Sequence, residues 1–439
     1  MTGAVLVRHG TRRPIAYDMT HLVSRLAARA VSGIDRIDLA YGRHFAERTD
    51  ATIFGAVCRA QRPHIAPAGM LRQIVERARR HAREQFPFDR DLNFAGLRDW
   101  LASENPRHEH LGALAAPRVG LGQRIAAKCW QARCRLGWSS RAIPRDAIYL
   151  NIAEHWLEHR QYFAWLAGRP DVQAVFFVHD LLPFDYPEYF RPGYHAIFTR
   201  RFATLAQRGT AFIVSTTVVR DKLEKALGAV HLPIVPIHVA ALPSPLGLAE
   251  SSAVAREMPA RPYFLLVSTI EPRKNHLLIL NIWRELAARL GDATPRLVLV
   301  GSHGWEDEQI LDMLDRCEAI APHVVRSARL SRQALALLVA SAQAVLMPSF
   351  DEGYGLPLVE ALGLGTPVIA SDIATFREVA HGHALLLSPL DGIAWQNAVV
   401  ALASRESPAW QAAKAKAESF RAPDWDGYFR GVDEFLNSL

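Results

Sequence analysis

Six short runs of this chain are apolar from end to end: 174–178 (AVFFV), 211–214 (AFIV), 263–267 (YFLLV), 297–300 (LVLV), 344–347 (AVLM) and 367–370 (PVIA). A strand with one face in water alternates apolar and polar residues. A strand without that alternation is covered on both faces. Between the runs lie stretches with apolar residues at helical spacing, such as 276–290 and 332–342. Helices laid on both faces of a parallel sheet satisfy both patterns, so the chain is expected to be α/β and built of repeated βαβ units. Half the residues are apolar and 22% are charged, which excludes disorder, collagen and coiled coil for the whole chain.

Residues 231–262 interrupt the alternation. They hold Pro233, Pro236, Pro243, Pro245, Pro259 and Pro262, and a fresh strand begins at Tyr263. Two doubly wound domains follow from this, 1–245 and 246–420, a division that suits 439 residues. Segment 421–439 carries Trp425, Tyr428, Phe429, Val432 and Phe435 at helical spacing. It reads as a last helix in need of an apolar surface to cover.

Charge is divided unevenly. Residues 1–150 hold 25 Lys and Arg against 13 Asp and Glu, and the remainder holds 26 against 31. The excess gathers in a helical insertion at about 70–146, with Arg77, Arg79, Arg80 and Arg83, then Arg124, Lys128, Arg133 and Arg135 beside Trp130, Leu136 and Trp138. Basic residues with Trp and Leu suit a surface that meets anionic lipid heads. The plainer reading is a solvated insertion. No aromatic-rich RNA motif accompanies the charge, so no nucleic-acid partner is expected. No apolar run approaches the roughly 18–20 residues of a membrane span, and the N-terminus lacks a signal peptide's pattern. The expected location is the cytoplasm, with peripheral contact to the inner face of the plasma membrane. Cys58, Cys129, Cys134 and Cys317 show no metal-ligand spacing and read as free thiols.

The most informative stretch is 344–371, AVLMPSFDEGYGLPLVEALGLGTPVIAS. It reads as strand, loop, helix, turn and strand. The loop holds Glu352, Gly353, Tyr354 and Gly355, and Pro357 suits the first helical turn. A glycine loop entering a helix at the carboxyl end of a parallel strand is a ligand edge, and the helix N-terminus favours phosphate. Glu352 and Glu360 stand eight residues apart. Two carboxylates beside a phosphate site suit hydroxyl-rich groups, whose hydrogen bonds they accept.

Glu-x7-Glu followed by Gly-x-Pro-Val-Ile-Ala-Ser resembles the retaining nucleotide-sugar glycosyltransferases of family 4, which have the GT-B fold. Further matches occur in order: 268–275 (STIEPRKN), 298–305 (VLVGSHGW), 178–190 (VHDLLPFDYPEYF) and the 16–41 segment with its Ser-Gly-Ile-Asp-Arg loop. The resemblance covers nearly all of the chain except 50–145. It implies two Rossmann-like domains facing across a cleft, with the C-terminal helix crossing back onto the N-terminal domain.

The resemblance also implies roles. Arg273 and Lys274 match the basic position that holds the donor diphosphate, where fixed cations stabilise a leaving group gathering negative charge. Glu352 matches the donor-sugar carboxylate. Gly353, Tyr354, Gly355 and Leu356 match the loop whose backbone meets sugar and phosphate. Glu360 matches the ribose-binding carboxylate. His179 matches the residue that contacts the transferred sugar, and Gly33 the loop near the diphosphate. Asp35 lies in the same loop, and Asp18 reads as a structural strand-end residue. The implied reaction transfers a hexose with retention from a GDP-, UDP- or dTDP-linked sugar to a saccharide or lipid-diphosphate-linked acceptor. No metal or other cofactor is implied. DRD at 89–91 and DWD at 424–426 follow no strand run and are not read as metal sites. The EPRKN and HDLLP segments are similar to those of members that build bacterial surface polysaccharides such as lipopolysaccharide, often mannosyl or rhamnosyl transferases.

Two other readings stand beside this one. Residues 8–14 (RHGTRRP) match the signature of histidine acid phosphatases, in which a histidine takes the phosphoryl group. That chemistry usually belongs to exported, disulfide-rich chains. The other is a non-catalytic binding protein on the GT-B fold, against which the intact Lys274, Glu352 and Glu360 argue.

Overall fold

The structure, a computed structural model, describes residues 13–26, 32–49, 52–59, 62–66, 68–84, 88, 91–104, 128–129, 143–244, 261–328 and 330–439. Two sheets carry these residues. The first has the order β3-β2-β1-β4-β5-β6-β7. Its strands are β1 (Ile15–Asp18), β2 (Ile53–Arg59), β3 (Arg62–Ala66), β4 (Ile148–Asn151), β5 (Gln173–Val178), β6 (Ala211–Val214) and β7 (Ile237–Val239). All neighbours are parallel except β2 and β3, which form an antiparallel hairpin at one edge.

The second sheet is parallel throughout, in the order β10-β9-β8-β11-β12-β13. It comprises β8 (Tyr263–Val267), β9 (Arg296–Val300), β10 (Val324–Ser327), β11 (Ala344–Met347), β12 (Val368–Ser371) and β13 (Leu385–Leu387). The six apolar runs fall on β5, β6, β8, β9, β11 and β12, in the middle of the sheets, where burial on both faces is complete. Phe176, Phe212, Phe264, Leu297, Ala344 and Ile369 are all 0% exposed. Helices His276–Leu290 and Arg332–Ser341 occupy the two helical stretches.

The basic insertion contributes two described helices with different partners. Ala68–Glu84 buries Leu71, Ile74 and Val75 against the Gly33–Glu47 helix and leaves Arg72, Arg77 and Arg80 outside. Its apolar stripe is therefore used within the fold. Leu92–Ala102, by contrast, packs beside β10 of the second sheet. Asp91 caps it by accepting from Phe94 N–H and also accepts from Ser331 N–H at 2.6 Å. At the other end Arg296, on β9, donates to the carbonyls of Trp100 and Ser103 and lies 4.7 Å from the centroid of the Trp100 ring. A helix from the first half of the chain thus covers an edge strand of the second half. The 121–138 stretch lies outside the described residues except for Lys128 and Cys129.

The last helix, Trp425–Ser438, packs on the first half. The Tyr428 and Tyr41 hydroxyls hydrogen-bond at 2.6 Å. Phe429 stacks on His44 with centroids 4.1 Å apart, and Asp433 pairs with Arg48 at 2.6 Å.

Candidate active site

The carboxyl ends of β5 and β6 face those of β8 and β11. Glu352-Gly353-Tyr354-Gly355 follows β11 and touches the residues that follow β5 and β6. A Cβ on Gly353 would stand 2.4 Å from the His179 carbonyl oxygen and 2.8 Å from Asp180 Cβ, so only glycine fits. The Gly353 carbonyl accepts from the hydroxyls of Ser215 and Thr216, each at 3.4 Å. Gly355 takes φ +90° and precedes the Leu356–Gly363 helix, and a Cβ there would meet the Phe376 ring at 2.5 Å. Tyr354 points away from the cleft edge, donating its hydroxyl to the Leu242 carbonyl at 2.7 Å.

Glu352 is buried and ionised. Burial alone would raise its pKa, but Arg273 and Lys274 outweigh that and hold it at about 2. Arg273 Nη1 lies 2.9 Å from Glu352 Oε2, and the Lys274 ammonium pairs with Oε1. Ser349 also donates to Oε1, at 2.8 Å. Arg273 is held further by Glu271 at 2.7 Å and by the Asp351 carbonyl at 2.6 Å, while its buried Nε has no partner. Asp351 in turn accepts from Lys222 of the first half at 2.7 Å. A small cavity opens over this group, lined by Ser268, Lys274, Ser349, Glu352 and Pro357 among others.

Glu360, one helix further on, is 3% exposed. Burial raises its pKa to about 7, against the pull of Arg36 and Arg332. Arg36 reaches it across the cleft from the Gly33–Glu47 helix, at 3.1 Å. Gly33 starts that helix, and a Cβ on it would stand 3.2 Å from Leu356 Cδ1. Ser32 and Asp35 form the capping box, and Arg25 bonds the Asp35 carboxylate. Asp35 therefore organises the loop. His179 donates from Nε2 to the Ile152 carbonyl at 2.8 Å, and burial lowers its pKa to about 4. It is a neutral ring with Nδ1 left as an acceptor. Asp18 accepts from Thr20, Tyr149 and Asn151, bracing β1 to β4.

The structure thus gathers Arg273, Lys274 and Glu352 into one cluster, with Glu360, Gly33, Gly353, Gly355, Leu356 and His179 around it. Sequence reasoning missed Arg36, Lys222, Asp180 and Glu154. Arg36 follows the capping box in Ser-Gly-Ile-Asp-Arg, and that signal was available. The others sit in helix-like or loop segments with no periodic mark. Of the phosphatase-like signature, residues 8–12 lie outside the described residues.

Residues 261–405 match the family model described as glycosyl transferases group 1. Among curated proteins, the serotype-specific mannosyltransferase WbdA of Escherichia coli is 30% identical over 228 residues, which are 49% of this chain and 28% of that protein. The O-antigen chain mannosyltransferase RfbU of Salmonella typhimurium is 28% identical over 228 residues, 51% of this chain and 58% of that one. The chain therefore spans about a quarter to somewhat over half of these relatives' length. Among solved structures, sucrose-phosphate synthase of Thermosynechococcus elongatus superposes with a TM-score of 0.58 at 17% identity, covering 98% of this chain and 99% of that one. HepE of Anabaena, solved with UDP, gives 0.55 at 14% identity, covering 97% and 100%. These two show a shared fold, the GT-B arrangement of paired parallel sheets. Residues 261–405 thus match the glycosyl transferases group 1 model, and they form the second half of a fold shared with these two solved structures.

Proposed function

We propose that this chain is a retaining hexosyltransferase that moves mannose from a nucleotide-diphosphate sugar to a saccharide or lipid-linked acceptor in surface polysaccharide synthesis. The observation that carries this is the Arg273–Glu352–Lys274 cluster, buried at the carboxyl edge of β8 and β11 beside a helix N-terminus. The O-antigen mannosyltransferases it resembles support the choice of mannose over rhamnose.

In the free protein Glu352 pairs with both cations, and Glu271 shares Arg273. An incoming diphosphate is a stronger partner for them, since two phosphates gather more charge than one carboxylate. Binding would then release Glu352 to accept from the sugar hydroxyls. Arg273 and Lys274 stabilise the charge that grows on the leaving phosphate. The acceptor proton passes to that phosphate oxygen on the same face of the sugar, which retains the anomeric configuration. Gly353, Gly355 and Leu356 present backbone to the donor, and Glu360 accepts from the ribose once Arg36 yields. His179 offers Nδ1 to the sugar. The basic outer face of Ala68–Glu84 adds electrostatic contact with anionic lipid, so salt should release the protein from anionic vesicles.

A panel of GDP-, UDP- and dTDP-linked sugars scored by thermal shift tests the donor, and GDP-mannose is expected to raise the melting temperature most. Transfer should fall at least 100-fold in Glu352→Gln and in Lys274→Ala, by the usual cost of losing a preorganised charge. Unchanged turnover in both variants would sink the proposal, as would an inverted product by NMR.

A further inference from the structure

The segment Asn151–His159, after β4, is held in an unusual backbone. Glu154 takes φ +52° and Trp156 φ +64°. Left-handed conformations are uncommon for such residues and persist only where the surroundings enforce them. Here the enforcement is visible. Asn151 is fixed by donating to Asp18 at 2.8 Å, and its other amide atom accepts from Glu154 N–H at 3.0 Å. His179 closes the loop from the far side. Its ring donates to the Ile152 carbonyl, and its own N–H donates to Glu154 Oε1 at 3.1 Å.

This bracing leaves polar groups without protein partners. Glu154 Oε2 has none among the described residues. His155 Nε2 is buried and also has none. Glu154 is enclosed with Asp180 close by, and together burial and that neighbour raise its pKa to about 7. His155 is lowered to about 4, chiefly by burial and next by the His21 charge. It is a neutral ring that can donate or accept. His155 stacks on Trp156, and Trp156 on Tyr162, each pair with centroids 5.0 Å apart. A carboxyl oxygen and a neutral imidazole at one sheet edge match the rim of a pyranose, whose hydroxyls both donate and accept. The position also fits transfer. Glu154 bonds the N–H of His179, whose carbonyl oxygen abuts Gly353 of the donor loop.

We propose that Glu154 and His155, with the Trp156 ring beside them, form a binding subsite for the acceptor sugar. Glu154 accepts from the hydroxyl nearest the donor loop, and His155 Nε2 bonds a second hydroxyl of the same ring. This rests on the transferase reading above for the identity of the reaction, but not for the binding of the sugar.

The test uses the full chain and methyl α-D-mannopyranoside, a soluble sugar with no lipid and no charge. Its binding is followed by saturation-transfer NMR, and GDP-mannose binding is followed separately by thermal shift. Wild type is expected to show transfer to the sugar. Glu154→Gln and His155→Ala should each weaken sugar binding roughly tenfold, the usual loss of one hydrogen bond to a buried partner, while keeping the GDP-mannose shift. His155→Ala removes a ring stacked on Trp156 but no hydrogen bond at Nε2, and an unchanged melting temperature without ligand guards against a variant that fails only by unfolding. No sugar binding by wild type, or wild-type affinity in both variants, overturns the subsite. A sugar signal that needs Glu154, in a protein that GDP-mannose does not stabilise, keeps the subsite and rejects the transferase reading.

Discussion

Glu352 and Glu360 are both buried carboxylates, yet their surroundings drive them in opposite directions. Glu352 is held at about 2 and Glu360 is raised to about 7. The sign of each follows from linkage. Glu352 has a folded pKa below its unfolded one, so its stabilisation is present above about 4.5 and is lost as pH falls toward 2. Glu360 has a folded pKa above its unfolded one, so its contribution is greatest below about 4.5 and is lost as pH rises through 7. Each shift corresponds to about 3–4 kcal/mol at most. Glu352→Gln should therefore destabilise the protein at pH 7 and less so as pH drops below 4.5. Glu360→Gln should be harmless at pH 4.5 and stabilising at pH 8. Urea unfolding of both variants across pH 3–8 reads this directly. Parallel pH profiles for the two variants would show that the charge environments are misassigned.

At the scale of elements, the Leu92–Ala102 helix is the part whose position the sequence conceals. It lies in the first half of the chain but covers β10. Arg296 is the reason it stays, since it satisfies two carbonyls at the helix end and packs under Trp100. Burial, with Arg261 near, lowers Arg296 to about 10, so it remains charged at neutral pH. Arg296→Ala should cost about 1–3 kcal/mol, because the buried Trp100 carbonyl loses its donor while the Ser103 carbonyl keeps Arg261. Arg261→Ala, at an exposed contact to Ser103 and Glu104, should stay within about 0.5 kcal/mol. Equal denaturation midpoints for the two would refute this. The same scale shows what the sequence makes legible. Central strands such as β5 and β8 are apolar on both faces and announce themselves. β10 contains Arg326, β3 starts at Arg62-Pro63, and β13 is three residues at an edge. Edge strands need no double-sided apolar run, so nothing in their composition marks them. The Glu352-Gly353-Tyr354-Gly355 loop was legible because glycine spacing and paired glutamates are local. Glu154 was not, because NIAEHWLEH has the composition of a helix, and its left-handed turn is imposed by Asp18 and His179, distant in sequence.

Across the whole molecule, the two halves are tied in two different ways. Some ties are permanent: Leu92–Ala102 belongs to the second half by packing, and Trp425–Ser438 belongs to the first, with Tyr428, Phe429, Val432 and Leu436 buried. The contacts around the cleft are of another kind. Arg36 meets Glu360, Lys222 meets Asp351, and Glu378 accepts from Thr217 N–H at 2.6 Å and Val218 N–H at 3.1 Å. At the rim Tyr189 stacks on Phe350, and Trp305 donates to the Tyr189 carbonyl at 2.7 Å. These are few and mostly polar contacts, and the more exposed of them are worth about 1 kcal/mol or less each. A cleft closed by such contacts opens without unfolding either half. Removing two of them in Glu378→Ala/Lys222→Ala should raise the radius of gyration above the roughly 22 Å of a compact chain this long, with little change in melting temperature. A nucleotide held by Lys274 of the second half and also by Arg36 of the first should restore the smaller radius. Small-angle scattering with and without GDP measures both. If the double variant scatters like wild type, closure is held instead by the permanent ties. If it opens but GDP has no effect, the nucleotide does not span the two halves.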